Sequence, residues 1–211
     1  MAAAVRSLGR LTPNNTVFLL CDVQERFRSI ISYMPSLIFV AQRMANASRL
    51  YNVPTIVTEQ NPDRLGKTCA EIDIKGFEVH SKALFSMYIP PVEARLKSLQ
   101  RRSVVLYGME AHVCVQQTCL DLLSAGYEVT ILADGVSSHR NSDRMFAIER
   151  MRQAGAFVST SESVLFELQN TADSPTFKQL SGLAKLAPPD TGLLSAVSDS
   201  SADIDNPSNK L

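Results

Sequence analysis

The feature that most constrains this chain is a regular alternation of short apolar runs with stretches of helical periodicity, closed by stop signals. Apolar runs fall at 16–22, 55–58, 77–80, 103–107, 127–133 and 156–159. The first, Thr-Val-Phe-Leu-Leu-Cys-Asp, is apolar on both alternating faces, as a strand buried on both sides of a sheet must be. Between the runs, 37–51, 92–100, 113–125 and 142–154 repeat apolar residues at helical spacing. Asn52 before Val53-Pro54, Gly126 after Ala125 and Gly155 after Ala154 end three of these segments just before the next run. Strand, helix, glycine, strand is the order that builds parallel crossover units. The expected class is α/β, doubly wound, with six strand candidates.

Composition narrows the function classes. Lys plus Arg and Asp plus Glu are both 21, and no run of like charge stands out, so nucleic acid and anionic membrane are not expected partners. No apolar stretch approaches the roughly 18 residues needed to span a bilayer. The expected partner is a small-molecule substrate. Four cysteines in 211 residues, Cys21, Cys69, Cys114 and Cys119, are too spread for zinc-site spacing, and a chain this long needs no disulfide framework. A reducing, cytoplasmic setting is the simplest reading. Arg6 and Arg10 without an acidic residue in the first 21 positions leave a mitochondrial matrix location as the alternative.

One folded domain is expected at 14–186, after a flexible N-terminus at 1–13. Residues 187–211 hold five Ser, four Asp and three Pro against one Lys and no aromatic, too little apolar surface to offset ordering entropy. They read as a disordered acidic tail, available to a protein partner. Truncation after Leu186 should then leave stability unchanged.

In open parallel sheets, ligands bind beyond the carboxyl ends of the strands. Asp22, Lys82, Cys114 and Asp134 occupy such positions. Asp22 is a capping residue or a functional carboxylate; a metal-dependent phosphatase would want a second carboxylate two residues on, where Gln24 stands. Lys82 is either a catalytic cation or an ammonium snorkelling to solvent. Cys114 opens a helical segment, where the positive end of the helix dipole favours a thiolate; otherwise it is a small core residue. Cys119, among Leu120, Leu122 and Leu123, reads as core. Asp134-Gly135 reads as a turn or loop anchor. His80, His112 and His139 make no H-x-H or H-x-x-x-H pair, so no metal and no cofactor are expected.

Taken together, these positions resemble a family. Asp22-Val-Gln24-Glu-Arg-Phe27 is similar to the D-x-Q-x-x-F signature of isochorismatase-like cysteine hydrolases. Lys82 through Ser86 to Tyr88 resembles their K-x-x-x-S-x-[FY] segment, and Gly108 through Cys114-Val115 to Thr118 their G-x5-C-V-x-x-T turn. Ala125-Gly-Tyr127 and the strand-end Asp134 also fit, so the resemblance spans about 14–170. It implies a three-layer α/β/α fold on a six-stranded parallel sheet, homo-oligomeric assembly, and an Asp-Lys-Cys triad on Asp22, Lys82 and Cys114. It further implies a cis Met109–Glu110 bond, with the N–H groups of Glu110 and Cys114 as oxyanion donors.

The chain also departs from the family. Where nicotinamidases carry a zinc-binding D-x-H segment, it reads Thr58-Glu-Gln-Asn-Pro62, and the usual Thr-Asp of the nucleophile turn is Ala111-His112. Gln24, Phe27, Phe85 and Tyr88 are the expected substrate contacts; Phe27, Phe85, Met87 and Tyr88 either point to a small, partly apolar or aromatic amide or are core residues. The function read here is hydrolysis of such an amide C–N bond through a Cys114 thioester. The alternatives are a catalytically quiet binding or scaffold protein, and a vinyl-ether hydrolase with Asp22 as general acid.

Overall fold

The computed structural model describes residues 7–193. All six expected runs are strands: β1 (Thr16–Cys21), β2 (Thr55–Gln60), β3 (Glu78–Lys82), β4 (Ser103–Met109), β5 (Glu128–Ser137) and β6 (Phe157–Ser159). They form one parallel sheet in the order β3-β2-β1-β4-β5-β6. Helices α1 (Met34–Tyr51), α2 (Pro62–Leu65), α3 (Pro90–Leu99), α4 (Gln116–Ser124), α5 (Asn141–Gln153), α6 (Ser161–Gln169) and α7 (Phe177–Ala184) connect or follow them. Among the described residues, no helix is long and apolar enough to cross a membrane.

The alternation along the central strands explains the three layers. Phe18 and Leu20 of β1 face a core shared with Leu37, Ala41 and Met44 of α1, Val164 and Leu165 of α6, and Leu180 of α7. Val17, Leu19 and Cys21 face the opposite core, with Val92 and Leu96 of α3, Cys119 and Leu122 of α4, and Ile148 and Met151 of α5. Side chains on alternate strand positions point to opposite faces, so a strand with helices on both sides must be apolar throughout. Cys119 is fully buried, as expected of a core residue.

Three sequence expectations change. The Asp134-Gly135 pair does not turn the chain: β5 runs on to Ser137, and its pairing with β4 slips from Leu106↔Ile131 to Gly108↔Val136, which makes a bulge. Asp134 accepts from the Ser161 backbone N–H (2.8 Å) and hydroxyl (2.6 Å), so it anchors the start of α6. Lys82 is the last residue of β3 rather than the residue after it.

The third change concerns the chain ends. Upstream of residue 14, Leu11 is buried and its N–H donates to Glu167 (2.9 Å). Of the tail expected at 187–211, residues 194–211 lie outside the described residues, as do 1–6 of the expected N-terminal segment. Residues 187–193 contact the body. The buried Arg144 guanidinium donates to the carbonyls of Thr191 and Ala133, both at 2.5 Å, and Gly192 packs so closely on Tyr33 that a Cβ there would overlap its ring. A buried donor stripped of its acceptor costs about 1–3 kcal/mol, and a charged one costs more. Truncation after Leu186 is therefore expected to lower the melting temperature by several degrees, against the sequence expectation, whereas truncation after Leu193 leaves that pair intact. Thermal melts of the two truncations, read side by side, check this.

Candidate active site

Strands β1 to β3 wind to one side of the sheet and β4 to β6 to the other, so the order reverses between β1 and β4. Ligands of such sheets bind beyond the strand ends at that reversal. Asp22 follows β1 there, in the left-handed region at φ 52°. It is buried at 1% exposure. Its Oδ1 accepts from the Thr58 hydroxyl (2.8 Å), and its Oδ2 lies 2.6 Å from Lys82 Nζ.

The ammonium also donates to Gln60 Oε1 (2.7 Å), the Phe85 carbonyl (2.8 Å) and the Leu84 carbonyl (3.1 Å). Burial pulls the Lys82 pKa down, but the anionic forms of Cys21, Asp22 and Cys114 outweigh that penalty and raise it, which keeps the side chain cationic. Lys82 is thus a fixed buried cation with a full set of acceptors, and the snorkelling alternative does not apply.

Cys114 sits in a π-helical turn, Ala111–Val115, directly before α4. Val113 and Val115 both donate their N–H to the Glu110 carbonyl (3.1 Å), which forms this wide turn. The Met109–Glu110 bond is cis. Two motif residues explain how the turn is held. A Cβ on Gly108 would lie 2.1 Å from the Cys21 carbonyl oxygen, so only glycine lets β4 pass β1 at this point. Thr118 donates to the Cys114 carbonyl (2.6 Å) and accepts from the Met87 N–H (2.8 Å), which ties the turn to the segment after Lys82. Cys114 keeps 7% exposure, while Cys21, Cys69 and Cys119 have none. The Cys21 thiol donates weakly toward Asp22 Oδ2 (3.5 Å). Burial pushes its pKa well up, a bond to Cys114 and the Asp22 charge add to this, and Lys82 opposes it.

Asp22 and Cys114 line one cavity of about 280 Å³, together with Phe27, Phe85 and Glu110. Gln60, Asn61, Leu65, Met109 and Val113 complete its wall. Two expected substrate contacts are not there. The Gln24 amide is spent on backbone groups: it donates to the carbonyls of Gln60 (3.0 Å) and Gly66 (2.6 Å) and accepts from the Gln60 N–H (2.7 Å). It pins the loop after β2, and both of its N–H donors are used there. Tyr88 stacks edge-on against Tyr127, with centroids 6.4 Å apart, on the α3 and α4 side. Gln60 and Thr58 are the partners that sequence reading missed. Both lie in the stretch read only for its lack of a D-x-H motif, and the signal was two polar side chains at the carboxyl end of an otherwise apolar strand. Glu59 of that stretch is engaged elsewhere, by Thr68 (2.8 and 3.0 Å) and Lys67 (3.1 Å).

The fold also joins residues that are far apart in sequence. Glu110 follows β4 and His139 follows β5, and the pairing Met109↔Ser137 sets them side by side. Glu110 Oε2 accepts from the His139 N–H (3.0 Å) and meets His139 Nδ1 at 2.9 Å; His112 Nδ1 is 3.9 Å away and bonded to Ser138 Oγ (3.0 Å).

Comparisons with known proteins fit this geometry. Residues 16–163 match the family model described as Isochorismatase domain. Isochorismatase domain-containing protein 2 of Homo sapiens is 46% identical over 195 residues, covering 92% of this chain and 95% of that protein. A Caenorhabditis elegans structure named as MAR1 ribonuclease superposes with a TM-score of 0.84 at 43% identity, over 87% of this chain and 96% of its own. The YcaC gene product of Escherichia coli, described as an octameric hydrolase of unknown specificity, shares the fold at a TM-score of 0.79 and 20% identity, over 93% and 99% of the two chains. The motifs, the sheet order and these likenesses agree, and the chain belongs to the isochorismatase-like hydrolase family.

Proposed function

We propose that this protein hydrolyses the C–N bond of a small amide, with Cys114 as nucleophile, Asp22 as general acid and base, and Lys82 as the fixed cation beside them. The observation that carries the reading is one small cavity lined by both Asp22 and Cys114, with Lys82 Nζ held 2.6 Å from the carboxylate. The Cys114 sulfur attacks the amide carbonyl carbon as its proton passes to Asp22, and the tetrahedral oxyanion accepts from the N–H groups of Glu110 and Cys114. Asp22 returns the proton to the nitrogen, which leaves as amine or ammonia and gives a thioester. Water then attacks the thioester, Asp22 takes a proton from it, and the carboxylic acid departs as the thiol re-forms. Lys82 holds Asp22 in place and balances its charge through both halves.

The cavity limits the substrate. Its volume of about 280 Å³ and its Phe27, Leu65, Phe85, Met109 and Val113 wall suit a small amide with an apolar or aromatic portion. The name of the nematode neighbour raises RNA as a substrate, but 21 basic against 21 acidic residues and a cavity of only about 280 Å³ favour a metabolite-sized molecule. Assembly into a homo-oligomer is part of the same proposal, supported by the octameric neighbour.

The test uses a panel of small aliphatic and aromatic primary amides. Reactions quenched in acid during turnover should carry an acyl mass on the Cys114 peptide that hydroxylamine removes. Ammonia release that persists in Cys114→Ser, with no such adduct in the parent, would overturn the thioester route.

A further inference from the structure

Glu110, His112 and His139 bring one carboxylate oxygen and two imidazole nitrogens within 4.8 Å of one another, the one such grouping of three among the described residues. We propose that these three side chains bind a divalent transition-metal ion of the zinc type. This goes beyond the amide chemistry, does not use Cys114, and revises the sequence expectation of no metal. That expectation rested on spacing along the chain, and the pairing of β4 with β5 is what brings the ligands together.

The chemistry of the donors sets the class of ion. Two imidazoles and one carboxylate are borderline ligands, suited to zinc and its neighbours rather than to magnesium or calcium, which take oxygen. Bonds near 2.0–2.1 Å in a tetrahedral arrangement place ligand atoms about 3.3 Å apart. Glu110 Oε2 already lies 2.9 Å from His139 Nδ1 and 3.9 Å from His112 Nδ1, so shifts below about an ångström close the site.

The surroundings are also those of a metal site. His112 Nδ1 exchanges its bond to Ser138 Oγ (3.0 Å) for the ion, while the His139 backbone N–H donates to Glu110 Oε2 and orients the carboxylate. Such outer bonds fix the orientation of ligands in metalloproteins. All three side chains are partly exposed, at 21%, 29% and 36%, so an ion has a path in. Three protein ligands leave a fourth position open, as in zinc sites that bind water or substrate. Because Glu110 also lines the Cys114 cavity, an ion here stands at the cavity wall and offers that position to an oxygen donor.

The experiment uses the full chain, freed of metal by chelator, titrated with zinc chloride in a calorimeter and with cobalt chloride in a spectrophotometer. One ion per chain is expected, with saturating binding, a raised melting temperature, and the visible bands of a four-coordinate cobalt site. His112→Asn and His139→Asn should each weaken binding by about 100-fold or more, since losing even an outer partner of a ligand costs 10–100-fold. Far-ultraviolet circular dichroism of the metal-free variants checks that they fold. If they do not, the cobalt spectrum of the unaltered chain decides alone: nitrogen and oxygen ligation supports the site, and a near-ultraviolet thiolate charge-transfer band assigns the ion to a cysteine and overturns it. Absence of saturable binding, or undiminished binding in folded variants, also overturns it.

Discussion

Cys114→Ser is expected to lower the turnover of any amide substrate by about 10⁴-fold or more, because a catalytic unit that loses its nucleophile falls nearly as far as one that loses every member. Serine keeps the shape of the turn, so the effect is chemical rather than structural. The Thr118 bond to the Cys114 carbonyl does not involve the sulfur, and the turn should persist. Cys119→Ser is the control. It also swaps a buried thiol for a hydroxyl, at 0% exposure, but away from the cavity, so it should cost some stability and leave kcat within a factor of about two. Steady-state ammonia release from both variants, compared at matched folded fraction, reads the difference.

Gly108→Ala is expected to be the most damaging single substitution for folding. The added Cβ would stand 2.1 Å from the Cys21 carbonyl oxygen, 2.7 Å from its nitrogen and 2.8 Å from its carbonyl carbon, and the backbone φ there is +128°. All three atoms are backbone in the central strand, so no rotamer change relieves the overlap, and β1 and β4 have to separate. A cost above about 4 kcal/mol follows, a lowering of the melting temperature by more than about 10 °C for a chain of this size. Gly126→Ala is the matched control. Its φ is +87° but nothing lies within 4 Å of the new Cβ, so the cost is the conformational penalty alone, about 1–2 kcal/mol. Urea unfolding midpoints of the two variants separate overlap from φ strain.

The fold was legible in the sequence because a parallel sheet buried on both faces writes itself as continuous apolar runs, and Asn52, Gly126 and Gly155 adopt the left-handed conformation that ends a helix. Helices α6 and α7 were not anticipated. They span nine and eight residues, near the length at which isolated helices gain nothing, and they form because Val164, Leu165 and Leu180 dock on α1. Of the two readings of Asp134, the loop anchor holds and the turn does not, for a related reason: turn chemistry is local, whereas the bulge in β5 is set by pairing with β4.

At the site, Asp22, Lys82 and Cys114 were visible because each lies at or just past a strand end or in a recognisable turn. Gln24 and Tyr88 fall outside the cavity lining because motif residues can also serve the backbone or the packing, as the Gln24 amide and the Tyr88–Tyr127 pair do. Glu110, His112 and His139 could not be joined from sequence at all. Twenty-six residues lie between His112 and His139, and only the β4–β5 register makes them neighbours.

The most direct measurement of the central claim is the rate at which iodoacetamide labels each cysteine of the chelator-treated protein at neutral pH, followed by peptide mass spectrometry. The thiolate is the reactive form, and each unit by which a thiol pKa rises removes about tenfold of it. Burial pushes Cys119 up to about 12 and Cys69 up to about 11, and raises Cys21 well above the ordinary range, so all three should label slowly. Cys114, on the cavity wall with a cation close by, should label first and fastest, and Lys82→Met should slow it by removing that cation. If Cys114 labels no faster than Cys119 and is unmoved by Lys82→Met, the three residues do not act as one site and the account is contradicted.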